Sequence, residues 1–436
     1  MTDTGMATAE VSSQREGGFR VLLAALAILI GLQLSQPAVS WDPAVPGAAA
    51  TLALGVALWH VHRRPLTFWI GVVLLLLATG GGAILSERSL AGVSGSPFHA
   101  PFFVFFAGVV LNQVLTAERV TEDTVLGSAC AYLLLALAFA SAYEAVFFFD
   151  SEAFKGIETE GGLSPFAQLS YFSLVTLTTL GYGDISPVHP FCQSLAIVQT
   201  VIGAMFPALV VARIIAVHAS GNDARFAEPE PVLTREAIVS RVLFFSLPAA
   251  VLALPWLEQG SFGRFAVSAI LTVLLIAGVY FVSGQRRVLI AGIVLGLAAE
   301  ILRIGDWGLI QLTTTIEVVF VGVVVVRMSI WCLQQKRATT SVILASVCLY
   351  WLIGLGWSGV YQFIENQALG TLAPAHGESV GGMLYFSFMT LTTTGYGDFV
   401  PVHDVTRAVA SLEAFVGVFY PAIVIARLVS LYGTQD

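Results

Sequence analysis

One stretch of this chain occurs twice. TLTTLGYGDISPVH runs over Thr176–His189 and TLTTTGYGDFVPVH over Thr390–His403. Gly181 and Gly395 stand 214 positions apart, close to half of the 436 residues. The match extends outward: Tyr171–Ser173 (YFS) recurs at Tyr385–Ser387, and GAMFPALVVARI from Gly203 recurs as GVFYPAIVIARL from Gly417. A period this long marks a duplicated domain, not a solenoid of short repeats. Whatever one copy folds into, the chain must fold into two, in series.

The surroundings of both copies are oily. Hydrophobic residues make up 57% of the chain and charged ones 11%, with a mean hydropathy of +0.84. A soluble domain needs more charge, and the apolar residues fall into runs long enough to cross a bilayer. Apolar spans are expected near 19–36, 47–62, 66–86, 98–116, 125–149 and 191–217, then near 238–257, 262–283, 287–304, 308–333, 339–364 and 404–430. Shifted by the repeat offset, the second set falls on the first. The expected fold is an all-α membrane protein of about twelve transmembrane helices in two parallel six-helix repeats. The expected organisation is a polar tail (1–18), a four-helix unit (19–124), a pore unit (125–218), a linker (219–237), a second four-helix unit (238–338) and a second pore unit (339–432). The first apolar run lacks a small-residue cleavage site and reads as a retained helix.

An even number of spans per half gives both halves the same orientation. With the N-terminus inside, fifteen basic residues fall on the cytoplasmic side and five outside, the latter being Arg88, Lys155, Arg264, Arg303 and Arg407. The positive-inside rule supports that orientation, with both termini cytoplasmic in the plasma membrane. The net charge of −8 is sorted by side, and no basic tract points to nucleic acid.

Two segments, about 164–178 and 379–392, are too short to span. The first opens with Ser164-Pro165, an N-cap followed by proline at the first helical position. Each ends at the Thr-Gly stretch, so both read as re-entrant half-helices that return as extended backbone. Such backbone survives at membrane depth only where it is buried in protein or lines a polar cavity. Gly-Tyr-Gly is costly as helix, but its glycines permit dihedrals that turn successive carbonyls one way. A ring of such carbonyls replaces the hydration shell of a cation. The half-helix before it aims its negative end at the cavity.

Thr179-Leu180-Gly181-Tyr182-Gly183-Asp184 and Thr393-Thr394-Gly395-Tyr396-Gly397-Asp398 resemble the selectivity filters of potassium channels. The resemblance covers residues about 125–218 and 339–432. It implies four filter strands around one pore, hence a homodimer of this two-filter chain with pseudo-fourfold symmetry. It implies potassium coordination by the carbonyls of Thr179, Leu180, Gly181 and Tyr182, and of Thr393, Thr394, Gly395 and Tyr396. The Thr179 and Thr393 hydroxyls join them, with Gly183 and Gly397 closing each filter. No cofactor is implied beyond the permeant ion, and no catalytic residue. Many members of the family have valine at the positions of Leu180 and Thr394. Thr394 puts a hydroxyl behind the filter that needs a partner. Where the family often has two tryptophans, this chain has Tyr171-Phe172 and Tyr385-Phe386. Tyr171 and Tyr385 are expected to bond Asp184 and Asp398, and Thr176 and Thr390 to bond the filter tyrosines. A less rigid filter would discriminate less.

Gly203 and Gly417 each lie twenty residues beyond the last filter glycine, where related channels place a hinge, and Pro207 and Pro421 follow. Small residues for tight helix contact are an equal alternative. The fourth spans carry no arginine in the first half and only Arg327 in the second, too few for steep voltage sensing. No regulatory domain is expected after Ser430. Glu144, Glu300, Glu317 and Glu413 are charges within spans, with Glu413 placed to buttress the filter from behind. Arg213 and Arg427, at the inner ends of the last helices, are expected to face away from the lumen, since a ring of positive charge would repel cations. His189 and His403 flank the outer mouth, where protonation would repel potassium. Asp150, Glu152, Glu158 and Glu160 read as a solvated rim, and His60 and His62 as part of a basic corner. The four cysteines, Cys130, Cys192, Cys332 and Cys348, lack ligand spacing and read as buried apolar residues.

Three functions fit this pattern: a passive potassium channel, a poorly selective relative of one, and a twelve-helix secondary transporter. The filter pattern favours the first, because transporters bind at broken helices rather than carbonyl rings.

Overall fold

The computed structural model describes residues 18–34, 65–86, 99–117, 121–158, 163–219, 234–257, 310–367, 372–373 and 380–432, with a few single positions besides. The spans expected at 47–62, 262–283 and 287–304, the polar tail, most of the linker, Glu160, Glu300, His60 and His62 lie outside the described residues.

The chain is helical. In order come α1 (Gly18–Leu34), α2 (Pro65–Ser86), α3 (His99–Thr116), α4 (Glu122–Phe149), α5 (Pro165–Leu177), α6 (Pro190–Ala219), α7 (Arg235–Leu257), α8 (Ile310–Gln334), α9 (Thr340–Glu365), α10 (Val380–Leu391) and α11 (Asp404–Tyr432). Among the described residues, seven helices are long and apolar enough to cross a membrane. The short α5 and α10 are the two expected half-helices. The helices start at polar caps. Thr121 caps α4 through a reciprocal pair with Thr124, and Glu122 and Asp123 follow at its positive end. Thr339 accepts from Val342 N–H to cap α9, and Ser164 accepts from Ala167 N–H ahead of Pro165 to cap α5. In lipid the helix is the backbone's way of satisfying its own polar groups, so sharp caps mark where each span meets water.

The described residues fall into two compact units, one running to Val175, the other combining Thr176–Ser220 with the residues from Arg225 on. This division does not follow the repeat. The boundary falls inside α5, because the stretch after it and α6 pack within the second unit.

In the first unit α4 packs against α1 and α3, and α2 against α3. Phe102, Phe103 and Phe106 are buried on α3. Gly127 lets α4 approach closely, since a side chain there would meet Phe19 and Val114. Phe172 of α5 packs edge-on against Tyr143 and Phe154. An aromatic pair behind the half-helix thus supplies the bulk for which the family often uses tryptophan.

In the second unit α6 packs against α7, α10 and α11, and α9 against α7, α8 and α10. Two short antiparallel strands, Leu372–Ala373 and Val400–Pro401, pair Leu372 with Pro401 and Ala373 with Val400. They tie the segment before α10 to the segment after the second Gly-Tyr-Gly. Tyr361, Leu372, Met383 and Phe386 form the core beside α10, flanked by Trp357 and Phe399.

Candidate functional site

Each half-helix unwinds at a threonine. Thr179 N–H donates to Thr176 O and Thr393 N–H to Thr390 O, both at 3.0 Å, which ends α5 and α10 in a tight turn. Beyond that turn the backbone alternates. Thr179, Gly181 and Gly183 have φ of 54°, 57° and 76°, and Thr393, Gly395 and Gly397 have 57°, 54° and 77°. Leu180, Tyr182, Thr394 and Tyr396 between them do not. Alternating left- and right-handed residues turn successive carbonyls to one side of the ribbon, an arrangement suited to a dehydrated cation. Glycine takes the left-handed region freely, but β-branched threonine is strained there, by about 1–3 kcal/mol. The same strain recurs at both threonines, and neither lies in a hairpin that would require it.

The two stretches pack against each other directly. A side chain at Gly181 would run into the carbonyl of Thr394, and one at Gly183 into that of Tyr396. At Gly395 and Gly397 the corresponding space is open. Side-chain burial follows the same asymmetry: Leu180 and Tyr182 are 52% and 66% exposed, Thr394 and Tyr396 only 2% and 5%.

Hydrogen bonds brace the second stretch from behind. The Tyr396 hydroxyl meets the Thr176 hydroxyl at the end of α5. Thr176, expected to meet a tyrosine of a Gly-Tyr-Gly stretch, meets that of the other repeat. Tyr385 donates to Asp398 Oδ2 at 2.8 Å, and Asp398 Oδ1 accepts from Phe399 N–H. The Thr394 hydroxyl lies 2.8 Å from that of Thr392, which donates to Phe388 O at 2.6 Å. Its need for a partner is met, which keeps the second stretch as firmly backed as a valine would. Tyr171 lies on α5 and Asp184 just beyond the first stretch, in different units. Thr390 donates to its own helix at Phe386 O.

Glu413 is fully buried, accepts from the Tyr361 hydroxyl and lies 2.6 Å from the Ser387 hydroxyl. The sequence singled out Glu413 but neither partner, nor Thr392, nor Tyr350, whose hydroxyl donates to Leu391 O at the end of α10. The missed residues sit on other helices, and Tyr350 and Tyr361 have Ala136 and Phe147 at the equivalent places of the first half. The repeat therefore carried no signal for the two tyrosines, and Ser387 and Thr392, which recur as Ser173 and Thr178, give no sign in sequence of what they bond.

Gly203 and Gly417 sit where the last helices cross the ends of the half-helices. A side chain there would strike the carbonyl of Leu177 or Leu391. That close approach requires glycine. The helices continue past Pro207 and Pro421. Arg427 donates to Leu333 O at 2.7 Å and to Gln335 O, the free carbonyls at the end of α8, and Arg213 is buried. His189 Nδ1 accepts from Phe191 N–H at 3.1 Å, and His403 Nδ1 from Val405 N–H at 3.3 Å. Both histidines cap the N-terminus of the helix that follows. The four cysteines are buried and free, and no cluster among the described residues would hold a metal.

A family model described as "Ion channel" matches residues 131–219 and 338–433, once around each stretch. The chain is similar to Protein LctB of Geobacillus stearothermophilus, 32% identical over 82 residues that make up 17% of this chain and 60% of that protein. Protein LctB of Bacillus caldotenax is 33% identical over 101 residues, 23% of this chain and 70% of that protein. Two-pore potassium channel 5 of Arabidopsis thaliana is 36% identical over 61 residues, 14% of each. The chain thus spans less than two thirds of the first and third of these relatives. No solved structure matches. With the model matched in both halves and the Bacillus caldotenax relative matched over 70% of its length, the chain belongs to the ion-channel family and carries the matched unit twice.

Proposed function

We propose that the chain is a potassium-selective channel whose pore is closed by two copies, each supplying two of four filter strands. The observation that carries this reading is the twice-repeated occurrence of positive φ at every second residue over Thr179–Gly183 and Thr393–Gly397. Such a ribbon aims its carbonyls at an axis. The permeant ion is held by the carbonyls of residues 179–182 and 393–396 and the Thr179 and Thr393 hydroxyls, and conduction involves no catalytic step.

The asymmetry of the two stretches supports the dimer. In a closed ring every strand abuts the next. Here the left-handed glycines of the first stretch abut carbonyls of the second, while those of the second face open space. A second copy related by a twofold axis brings its own first stretch into that space. The exposed Tyr182 then meets Thr390 of the second copy, as Tyr396 meets Thr176. The last helices point the same way: 61% of the apolar stretch of α6 is buried but only 22% of that of α11, although the two are repeats of each other.

Charge and topology complete the reading. Both termini are cytoplasmic, and the positive-inside count supports a plasma-membrane channel in that orientation. With no arginine on α3 and Arg327 alone on α8, gating is not steeply voltage-dependent.

The test is the reversal potential of purified protein in a planar bilayer with potassium on one side and sodium on the other. Unitary steps reversing near the potassium equilibrium potential are expected. Reversal near zero would mean an unselective pore, and slow saturating flux without steps would mean a carrier.

A further inference from the structure

Glu413 is a carboxyl group with no exposure, in the first half of α11, against α10, the half-helix that leads into the second stretch. No lysine, arginine or histidine among the described residues pairs with it. Its partners are Tyr361 of α9, at Oε2, and Ser387 of α10, whose hydroxyl lies 2.6 Å from Oε1. That same hydroxyl lies 2.8 Å from the carbonyl of Gly354.

The protons can be counted. Three contacts link Tyr361, Glu413, Ser387 and the Gly354 carbonyl, and each needs one proton. Tyr361 supplies one and Ser387 one. An ionised Glu413 has none, so either the carboxylate or the Gly354 carbonyl loses the Ser387 proton. A protonated Glu413 donates from Oε1 to Ser387, Ser387 donates to Gly354, and Tyr361 donates to Oε2. All three contacts are then made. A buried carboxylate without a cation is also costly. The repeat supplies an independent comparison: the position equivalent to Glu413 is Gln199, an amide shaped like a neutral carboxylic acid and equally buried.

Among the described residues no cation pairs with it to compensate a charge. The elements packed on α11 are α6, α9, α10 and the strand Val400–Pro401, which bears no titratable side chain. Their titratable or charged groups are Cys192 and Arg213 on α6 through residue 215, Cys348, Tyr350, Tyr361 and Glu365 on α9, and Tyr385 on α10, itself bonded to Asp398. On α11, Arg407 is exposed beside Asp404, and Arg427 is bound at the far end.

We propose that Glu413 acts as a neutral carboxylic acid, a positioning residue whose proton completes the Tyr361–Glu413–Ser387–Gly354 chain and holds α10 and the second filter in place, and that losing this proton in alkaline solution loosens that filter. The effect on the filter rests on the potassium-channel reading; the proton does not.

Two measurements separate them. The first is infrared spectroscopy of the purified dimer in lipid, comparing wild type with Glu413→Gln. A protonated-carboxyl carbonyl band absent only from Glu413→Gln, and shifted by Ser387→Ala, is expected. Its absence from wild type at neutral pH would overturn the proposal whatever the protein conducts. The second is the potassium-to-sodium permeability ratio against pH. Wild type should lose discrimination about tenfold toward alkaline pH, Glu413→Ala should show the loss at every pH, and Glu413→Gln should rescue it and flatten the profile. A Glu413→Gln variant as impaired as Glu413→Ala would show that charge is required, and an unaffected Glu413→Ala would show that nothing is positioned; either overturns the proposal. Absence of potassium-selective current in wild type would instead overturn the channel reading and leave the band to decide the proton.

Discussion

The hydroxyl of Tyr396, in the second filter stretch, meets the hydroxyl of Thr176, at the end of the first half-helix. One repeat thus braces the Gly-Tyr-Gly stretch of the other. In a closed ring the reciprocal bond, between Tyr182 and Thr390, forms only between chains. Thr176→Ala strands a buried tyrosine hydroxyl at a cost of about 1–3 kcal/mol. We expect a roughly tenfold loss of potassium over sodium discrimination, about 1.4 kcal/mol. Thr390→Ala should match it, although Thr390 within one chain bonds only its own helix. Bi-ionic reversal potentials for both variants decide this. A silent Thr390→Ala would argue against the ring.

Thr394 replaces an apolar residue behind the filter, and its hydroxyl lies against that of Thr392. Because Thr392 donates to Phe388 O, the shared proton comes from Thr394. Thr392→Val should therefore strand the Thr394 hydroxyl and cost about 1–3 kcal/mol, whereas Thr394→Val leaves Thr392 satisfied and should cost less than 1 kcal/mol. The double variant should recover most of the Thr392→Val loss, a coupling readable from thermal unfolding of the purified protein in detergent. Additive losses would mean that the two hydroxyls do not depend on each other.

Arg427 spends its guanidinium on the carbonyls of Leu333 and Gln335. These contacts lie at or near the surface, where a charged donor is worth about 1 kcal/mol, so Arg427→Ala should lower the unfolding temperature by a few degrees at most. An arginine lining the lumen would also repel potassium, and its removal would raise unitary conductance at low salt. Bound where it is, Arg427 should leave unitary conductance unchanged. Paired measurements of melting and conductance check both halves of this expectation.

Much of this was readable before any coordinates, for physical reasons. Bilayer thickness and the polar caps at Thr121 and Thr339 bound the spans, so expected and observed helices differ by only a few residues. The unwinding at Thr179 and Thr393 follows from Gly-Tyr-Gly lying at membrane depth. That Thr394 needs a partner was legible; that the partner is Thr392 was not, since it depends on how the end of α10 turns. Tyr361 and Ser387 lie 52 and 26 residues from Glu413, and no periodicity connects them. The division inside α5 was equally hidden, because a repeat in sequence says nothing of which half a strand packs against.

His189 and His403 follow the two Gly-Tyr-Gly stretches, each capping the next helix through Nδ1. An imidazole can accept there only while neutral. Protonation removes the lone pair and sets a positive charge on the positive end of a helix, so acid works against both caps. The same charge near the entrance lowers the local potassium concentration. Both effects have one sign: current should fall in external acid. Asparagine at both positions keeps a capping oxygen and cannot take up the charge. The His189→Asn/His403→Asn variant should conduct as wild type does in neutral solution and stay flat in acid. Alanine at both positions should lose the caps at every pH and reduce stability by about 1 kcal/mol each. External-pH titrations of unitary current for the three proteins test this, and an acid response that persists in the asparagine variant would place the sensor elsewhere.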